Sequence, residues 1–273
     1  MRMSPKPITK NITNIGRFQI PYRLYGQGSE VLVCINGIQQ SMAIWSDFVH
    51  RFSHKHKILL FDFPHQGKGR VISGSQDVSL NEQVEILNEL LSIVRIEEKV
   101  TLCSASWGGV VAASFTIRHP HRTQKLILAG LGTKPNQKMI ETITRGLKLS
   151  MENRLDIAET LINGFGQDLP VKVKDTIINQ FERMDEKALG SFYQHGTFIL
   201  SCKPLEKVID LKSITCKTIL LRGENDTIID SEDLVLLASE IAGAEIRTIK
   251  GAGHFLHLEN DKLMDTYEDI LRS

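Results

Sequence analysis

Cysteine is scarce and scattered in this chain: Cys34, Cys103, Cys202 and Cys216 are the only four, and no two stand in C-x-x-C spacing. That argues against a zinc ribbon or a dithiol redox pair. Three of them lie in apolar runs, where a cysteine acts as a small hydrophobe. Charge of one sign is also missing. With 33 basic and 32 acidic side chains the formal net charge is +1, so no global field draws in nucleic acid or a membrane surface. Arg2, Lys6, Lys10, Arg17 and Arg23 make the first stretch locally basic, which reads as a solvated strand and tail. No run of about eighteen apolar residues occurs and no apolar signal-peptide core follows the N-terminus. Stable membrane insertion is therefore not expected, and a cytoplasmic location is the default expectation.

What is present has an ordinary composition, 41% hydrophobic, 24% charged and 6% aromatic over 273 residues, as in soluble globular proteins. Short apolar runs alternate with longer amphipathic ones. VLVCIN (31–36), KILLFDF (57–63), KVTLCSA (99–105), KLILAGL (125–131), KTILLRG (217–223) and EIRTIKG (245–251) read as strands. Several lack polar alternation, as strands buried on both faces do. RFQIPYRLYG (17–26) alternates better and is expected to open the sheet as an antiparallel hairpin with the run after it. Ser79 with Glu82 forms a capping box ahead of an apolar helical stripe from Val84 to Val94. The rhythm predicts an α/β fold, a mainly parallel sheet with flanking helices.

From 133 to 212 that rhythm breaks into five helix-like segments without a convincing strand. This reads as a helical cap inserted into a core made of 1–132 and 213–273. Strand and helix alternation then resumes and ends in an amphipathic helix at 260–271.

CSASWGG (103–109) follows a strand and precedes a helix. A sharp strand-to-helix turn lifts one serine above the sheet only if small residues stand two before and two after it. Ser106 has Ser104 and Gly108 in those places, whereas Ser104 would have Leu102, which is too large. Ser106 is thus the expected nucleophile. A serine needs a base and a group that orients it. His254 in GAGHF and Asp226 in LLRGENDT each lie just beyond a strand, in the chain order Ser, Asp, His. Glu224, Asp230 and Asp233 compete for the acid role, though the last two fall where helix caps and first-turn acids are expected. His257 reads as a helix or turn residue. In INGIQQ (35–40) Asn36 stands before Gly37, so the backbone N–H groups of Ile38 and Trp107 are the expected oxyanion donors. Asp62 in FDFPHQGKGR (61–70) is expected to hold a turn.

The set has the order of an α/β-hydrolase with a cap. In wording, EQVEIL (82–87), SASWGG (104–109), NQKM (136–139) and GHFLHLE (253–259) resemble the 3-(3-hydroxyalkanoyloxy)alkanoate synthases of rhamnolipid biosynthesis. That resemblance implies the joining of two 3-hydroxyacyl groups, delivered as thioesters of acyl carrier protein or coenzyme A, into one ester-linked lipid acid. It calls for no cofactor and no metal. Asn36, Met139, Ile143, Phe192 and His195 are expected to contact substrate, with Ile140, Leu147, Leu161 and Phe198 as further apolar cap residues. A serine esterase or thioesterase, and a silent ligand-binding protein of the same fold, stay open at this point.

Overall fold

The computed structural model describes residues 5–259 and 262–272. Nine strands form one sheet: β1 (Thr9–Ile15), β2 (Phe18–Tyr25), β3 (Val31–Ile35), β4 (Lys57–Phe61), β5 (Arg70–Val71), β6 (Val100–Ala105), β7 (Thr123–Ala129), β8 (Lys217–Gly223) and β9 (Glu245–Ile249). Their order is β1-β2-β4-β3-β6-β7-β8-β9, with β5 against β2. From β4 through β9 every neighbouring pair on that path is parallel. All five residues of β3 and all six of β6 are buried, which is why their sequences show no alternation.

The N-terminal pairing differs from expectation. β2 makes its hairpin with β1 before it, not with β3 after it, and its other edge pairs antiparallel with β4. β1 is difficult to see in the sequence because Lys10, Asn11 and Asn14 interrupt its apolar residues. The chain reverses through Gly16, whose φ of +53° suits glycine.

Helices cover both faces. α1 (Ser46–Phe52) packs on one side, while α2 (Leu80–Ile93) and α3 (Gly108–Arg118) pack on the other. Between β7 and β8 come α4 (Gln137–Leu147), α5 (Arg154–Phe165), α6 (Val171–Glu182) and α7 (Glu186–Ser201). These four helices, followed by two 3-10 turns, replace the five segments expected there. A small apolar cluster of Ile157, Ala158, Phe181 and Leu189 joins α5, α6 and α7. α8 (Ser231–Ser239), α9 (Leu256–Glu259) and α10 (Lys262–Arg272) complete the chain. α8 packs on the face of α2 and α3, and α10 on that of α1. Asn260, where the last helix was expected to start, and Arg2 lie outside the described residues. Among the described residues no helix is long and apolar enough to cross a membrane.

The predicted capping box is formed. Ser79 Oγ accepts the Glu82 N–H, and the Glu82 carboxylate accepts the Ser79 N–H at 2.9 Å. Asp62 accepts the Lys68 N–H of its own loop at 3.4 Å and also binds other segments, accepting the Met42 N–H at 2.7 Å and the Asn36 amide at 3.2 Å.

His257, on α9, is half-buried. Its Nε2 meets the Tyr267 hydroxyl at 2.9 Å and its ring lies 4.2 Å from that of Trp45. Burial pushes its pKa down from 6.5 to about 3. The unfolded chain therefore takes up this proton before the folded one. The stabilisation is fully present above about pH 6.5 and is lost as pH falls toward about 3, a few kcal/mol in all. Thermal melts should show this loss on acidification, and His257→Phe should flatten that slope.

Candidate active site

β6 delivers the chain to a sharp turn ahead of α3. Ser106 occupies it with φ +47°, a left-handed conformation that costs a non-glycine residue about 1–3 kcal/mol. The turn is fixed by the Ser106 N–H to the Ala129 carbonyl at 2.7 Å and the Gly109 N–H to the Ser106 carbonyl at 2.8 Å. At Gly108 an added Cβ would stand 2.5 Å from the Ile35 carbonyl oxygen and 2.6 Å from that of Asn36, so the end of β3 forces glycine there. Ser104 is fully buried, and its hydroxyl donates to the Ile127 carbonyl at 3.0 Å. Ser104 is thus occupied within the sheet, while Ser106 lines a small cavity with Gln40, Ala129, His254, Phe255 and His257.

His254 follows β9 on a loop that turns at Gly251, whose φ is +71°. Its Nδ1 meets Asp226 Oδ2 at 3.0 Å. Asp226 follows β8, is 4% exposed, and accepts the Ile228 and Ile229 N–H groups on Oδ1 at 2.9 and 3.1 Å. Burial opposes ionisation of Asp226, but the His254 charge and hydrogen bond, with the two amides, hold its carboxyl below the usual range. Burial likewise opposes an imidazolium, yet Asp226 by charge and hydrogen bond, then Glu259 by charge, raises His254 above the ordinary histidine value. A neutral ring that donates from Nδ1 keeps its lone pair on Nε2.

The competing acids serve elsewhere. Glu224 accepts the Gly251 N–H at 2.9 Å, Asp230 accepts the Asn136 amide at 2.8 Å, and Asp233 accepts the Thr133 N–H at 2.6 Å. Asp230 and Asp233 thereby tie the start of the helical insertion to the loop and helix after β8, instead of closing α8 with a side-chain cap bond.

For an oxyanion, the structure offers two amides. Among the described residues no acceptor takes the N–H of Ile38 or Trp107. The Gly37 carbonyl accepts from Gln66 Nε2 at 2.8 Å, and the Gly37 N–H donates to Gln40 Oε1 at 2.8 Å. Because the peptide is trans, pinning that carbonyl aims the Ile38 N–H away from Gln66. No local pattern marks Gln66 in the sequence: besides the Phe63 N–H, its side chain meets Asn36 and Gly37, about thirty positions away.

The expected substrate contacts fare differently. Asn36 is 1% exposed and fully engaged: its amide donates to Phe61, Asp62 and Gln66, and its carbonyl accepts the Trp45 indole N–H at 2.9 Å. It braces the loop that follows β3, and its side chain has no polar group left for substrate. Phe192 packs within the insertion, its ring 5.1 Å from Phe181, and so faces helices rather than the cavity. Ile143 is buried at the α4–α7 contact beside Gly196. Met139 is half-buried in the first turn of α4, where its N–H is capped by Asn136. His195 reaches the core: Gln39 Nε2 donates to its Nδ1 at 2.6 Å, next to Ile38. Burial, then the nearby His65, pushes the His195 pKa below its ordinary value. Phe198, 45% exposed, sets its ring 5.2 Å from that of Trp107. α7 therefore touches the side chains of Gln39, next to Ile38, and of Trp107.

Known proteins of the same architecture include an α/β-hydrolase enzyme from a deep-sea metagenome library of the Medee basin. It superposes with a TM-score of 0.81 at 21% identity, covering 96% of this chain and 98% of that one. The enol-lactonase of Burkholderia xenovorans LB400 gives 0.78 at 17% identity, covering 96% and 100%. In sequence, the chain is 23% identical to the (R)-3-hydroxydecanoyl-ACP:CoA transacylase of Pseudomonas aeruginosa, over 97% of this chain and 89% of the relative. It is 24% identical to a 2-hydroxy-6-oxononadienedioate/2-hydroxy-6-oxononatrienedioate hydrolase of Escherichia coli, over 92% and 90%. A model of the Hydrolase_4 family, described as "Serine aminopeptidase, S33", matches residues 26–261, and the chain belongs to that α/β-hydrolase family.

Proposed function

We propose that the protein is a serine-dependent acyltransferase that joins two 3-hydroxyacyl groups from thioester donors into a 3-(3-hydroxyalkanoyloxy)alkanoic acid, the lipid precursor of rhamnolipids. The observation that carries the catalytic reading is the meeting of Ser106 and His254 at one cavity, with Asp226 3.0 Å behind the histidine. Full-length similarity to relatives named (R)-3-hydroxydecanoyl-ACP:CoA transacylase supports 3-hydroxyacyl transfer.

His254 Nε2 takes the Ser106 proton as Oγ attacks the thioester carbonyl. The Ile38 and Trp107 amides receive the negative oxygen. Collapse breaks the carbon–sulfur bond, and the imidazolium returns its proton to the departing thiolate. The 3-hydroxyl of a second 3-hydroxyacyl group then attacks the acyl-serine, losing its proton to His254, and Ser106 leaves with that proton. Hydrolysis of the remaining thioester with one water frees the acid. Transfer outruns hydrolysis at the acyl-serine when the second hydroxyl is oriented and water is kept out. The insertion at 133–212 serves as the cap that excludes it, with α7 resting on the oxyanion loop.

A second acceptor, the thiol of coenzyme A, is favoured by the relatives' printed name. Incubation with a 3-hydroxyacyl carrier-protein thioester, with and without coenzyme A, separates the readings by mass spectrometry. The ester-linked dimer supports the synthase, acyl-coenzyme A alone supports the transacylase, and monomeric hydroxy acid alone makes it a thioesterase.

A further inference from the structure

The loop carrying His254 is gripped by a side chain that the mechanism above does not use. Glu259, at the end of α9, turns back so that Oε2 accepts the Gly253 N–H at 2.5 Å and Oε1 accepts the Phe255 N–H at 3.1 Å. These N–H groups belong to the residues on either side of His254. An ionised carboxylate accepts on both oxygens, which is what two amide donors require. Gly253 adds a second observation: an added Cβ would stand 3.0 Å from Glu259 Oε2 and 2.8 Å from Asp168 Oδ2. Its φ is not left-handed, so glycine serves here to give the carboxylates room, unlike Gly251.

We propose that Glu259 is a positioning residue for His254, clasping the N–H groups of both neighbouring residues so that the ring is held toward Ser106, and setting a second negative charge behind it. The proposal rests on the reading of Ser106 and His254 as nucleophile and base. Two ionisable groups face the clasp: His254 from the same loop, and Asp168 from the insertion between α5 and α6. Burial, with Asp168 adding to it, raises the Glu259 carboxyl above its ordinary value against the pull of the two amides and of His254. Asp226 orients the ring through Nδ1; Glu259 orients the backbone that carries the ring. The two carboxylates thus fix different degrees of freedom of one residue.

The test is the rate at which a fluorophosphonate labels Ser106, followed by intact mass across the histidine titration range, with Ser106→Ala as the blank and thermal melts in parallel. Glu259→Gln should slow labelling about 10- to 100-fold, because its single acceptor oxygen leaves one amide unpaired. Its acid limb should move to lower pH, since a charge that raises His254 is gone. Gly253→Ala drives a methyl into the clasp but keeps the charge, so labelling should slow with the limb unmoved. A Glu259→Gln protein that melts lower yet labels at the wild-type rate with the wild-type midpoint would make Glu259 a plain fold staple and overturn the proposal. If that variant does not fold, unchanged labelling of Gly253→Ala overturns it alone. A wild-type protein that fails to label at Ser106 removes the nucleophile reading first, and the clasp with it.

Discussion

Ser106→Ala is expected to leave a folded protein whose acyl transfer falls by about six orders of magnitude, to the level that binding and the oxyanion donors sustain alone. The expectation comes from position as much as chemistry. Ser106 holds a left-handed turn at φ +47°, and alanine bears the same conformational cost, so the melting temperature should change little. Ser104 cannot substitute, since its hydroxyl is buried and donates to the Ile127 carbonyl. Ser104→Ala should therefore keep most activity and lose about 1 kcal/mol of stability, the cost of one buried hydrogen bond. Steady-state transfer assays beside thermal melts check both. Activity lost in Ser104→Ala and kept in Ser106→Ala would reverse the assignment.

Asp226→Asn is the second large effect, a fall of about four orders of magnitude in kcat with the fold intact. The asparagine oxygen can still accept the Ile228 and Ile229 amides, so the loop after β8 should hold its shape. Its NH2 group then faces His254 Nδ1 and demands an acceptor there. That fixes the tautomer with the proton on Nε2, where a lone pair is needed to take the Ser106 proton. The acid limb of kcat/KM carries a further signature. Asp226 helps to raise His254 above the ordinary histidine value. Wild-type activity should therefore fall as pH drops through that raised value, and the limb of any residual Asp226→Asn activity should lie lower. Near-wild-type turnover in this variant would refute Asp226 as the orienting acid.

Much of this site was legible because each part depends on local sequence. Leu102 and Gly108 decide between two serines by size alone, and Gly108 is indeed the position where the backbone of β3 leaves no room for a Cβ. Asp226 and His254 each follow an apolar run in the sequence, and those runs are β8 and β9. Legibility failed where a residue's partners come from afar. Asn36 beside Gly37 at a strand end looks like a ligand-binding group, yet Trp45, Asp62 and Gln66 consume it. Phe192 and Ile143 looked like pocket lining because an apolar helix face does not declare which surface it meets; here they meet other helices. β1 escaped because an edge strand with one solvated face can carry Lys10, Asn11 and Asn14 at little cost. Its absence from the sequence reading also misassigned the hairpin partner of β2.

The insertion links fold to chemistry through a few contacts. Asn136 and Thr133 tie its start to Asp230 and Asp233, Asp168 reaches the loop of His254, and His195 and Phe198 meet the side chains of Gln39 and Trp107.

The most direct test of the whole account is the mass of the intact protein, and of its Ser106 peptide, after brief mixing with a defined 3-hydroxyacyl thioester. The account predicts one added 3-hydroxyacyl group on Ser106, chased into ester-linked dimer when a second 3-hydroxyacyl substrate is supplied. No adduct on Ser106 during active turnover, or an adduct on another residue, would contradict it.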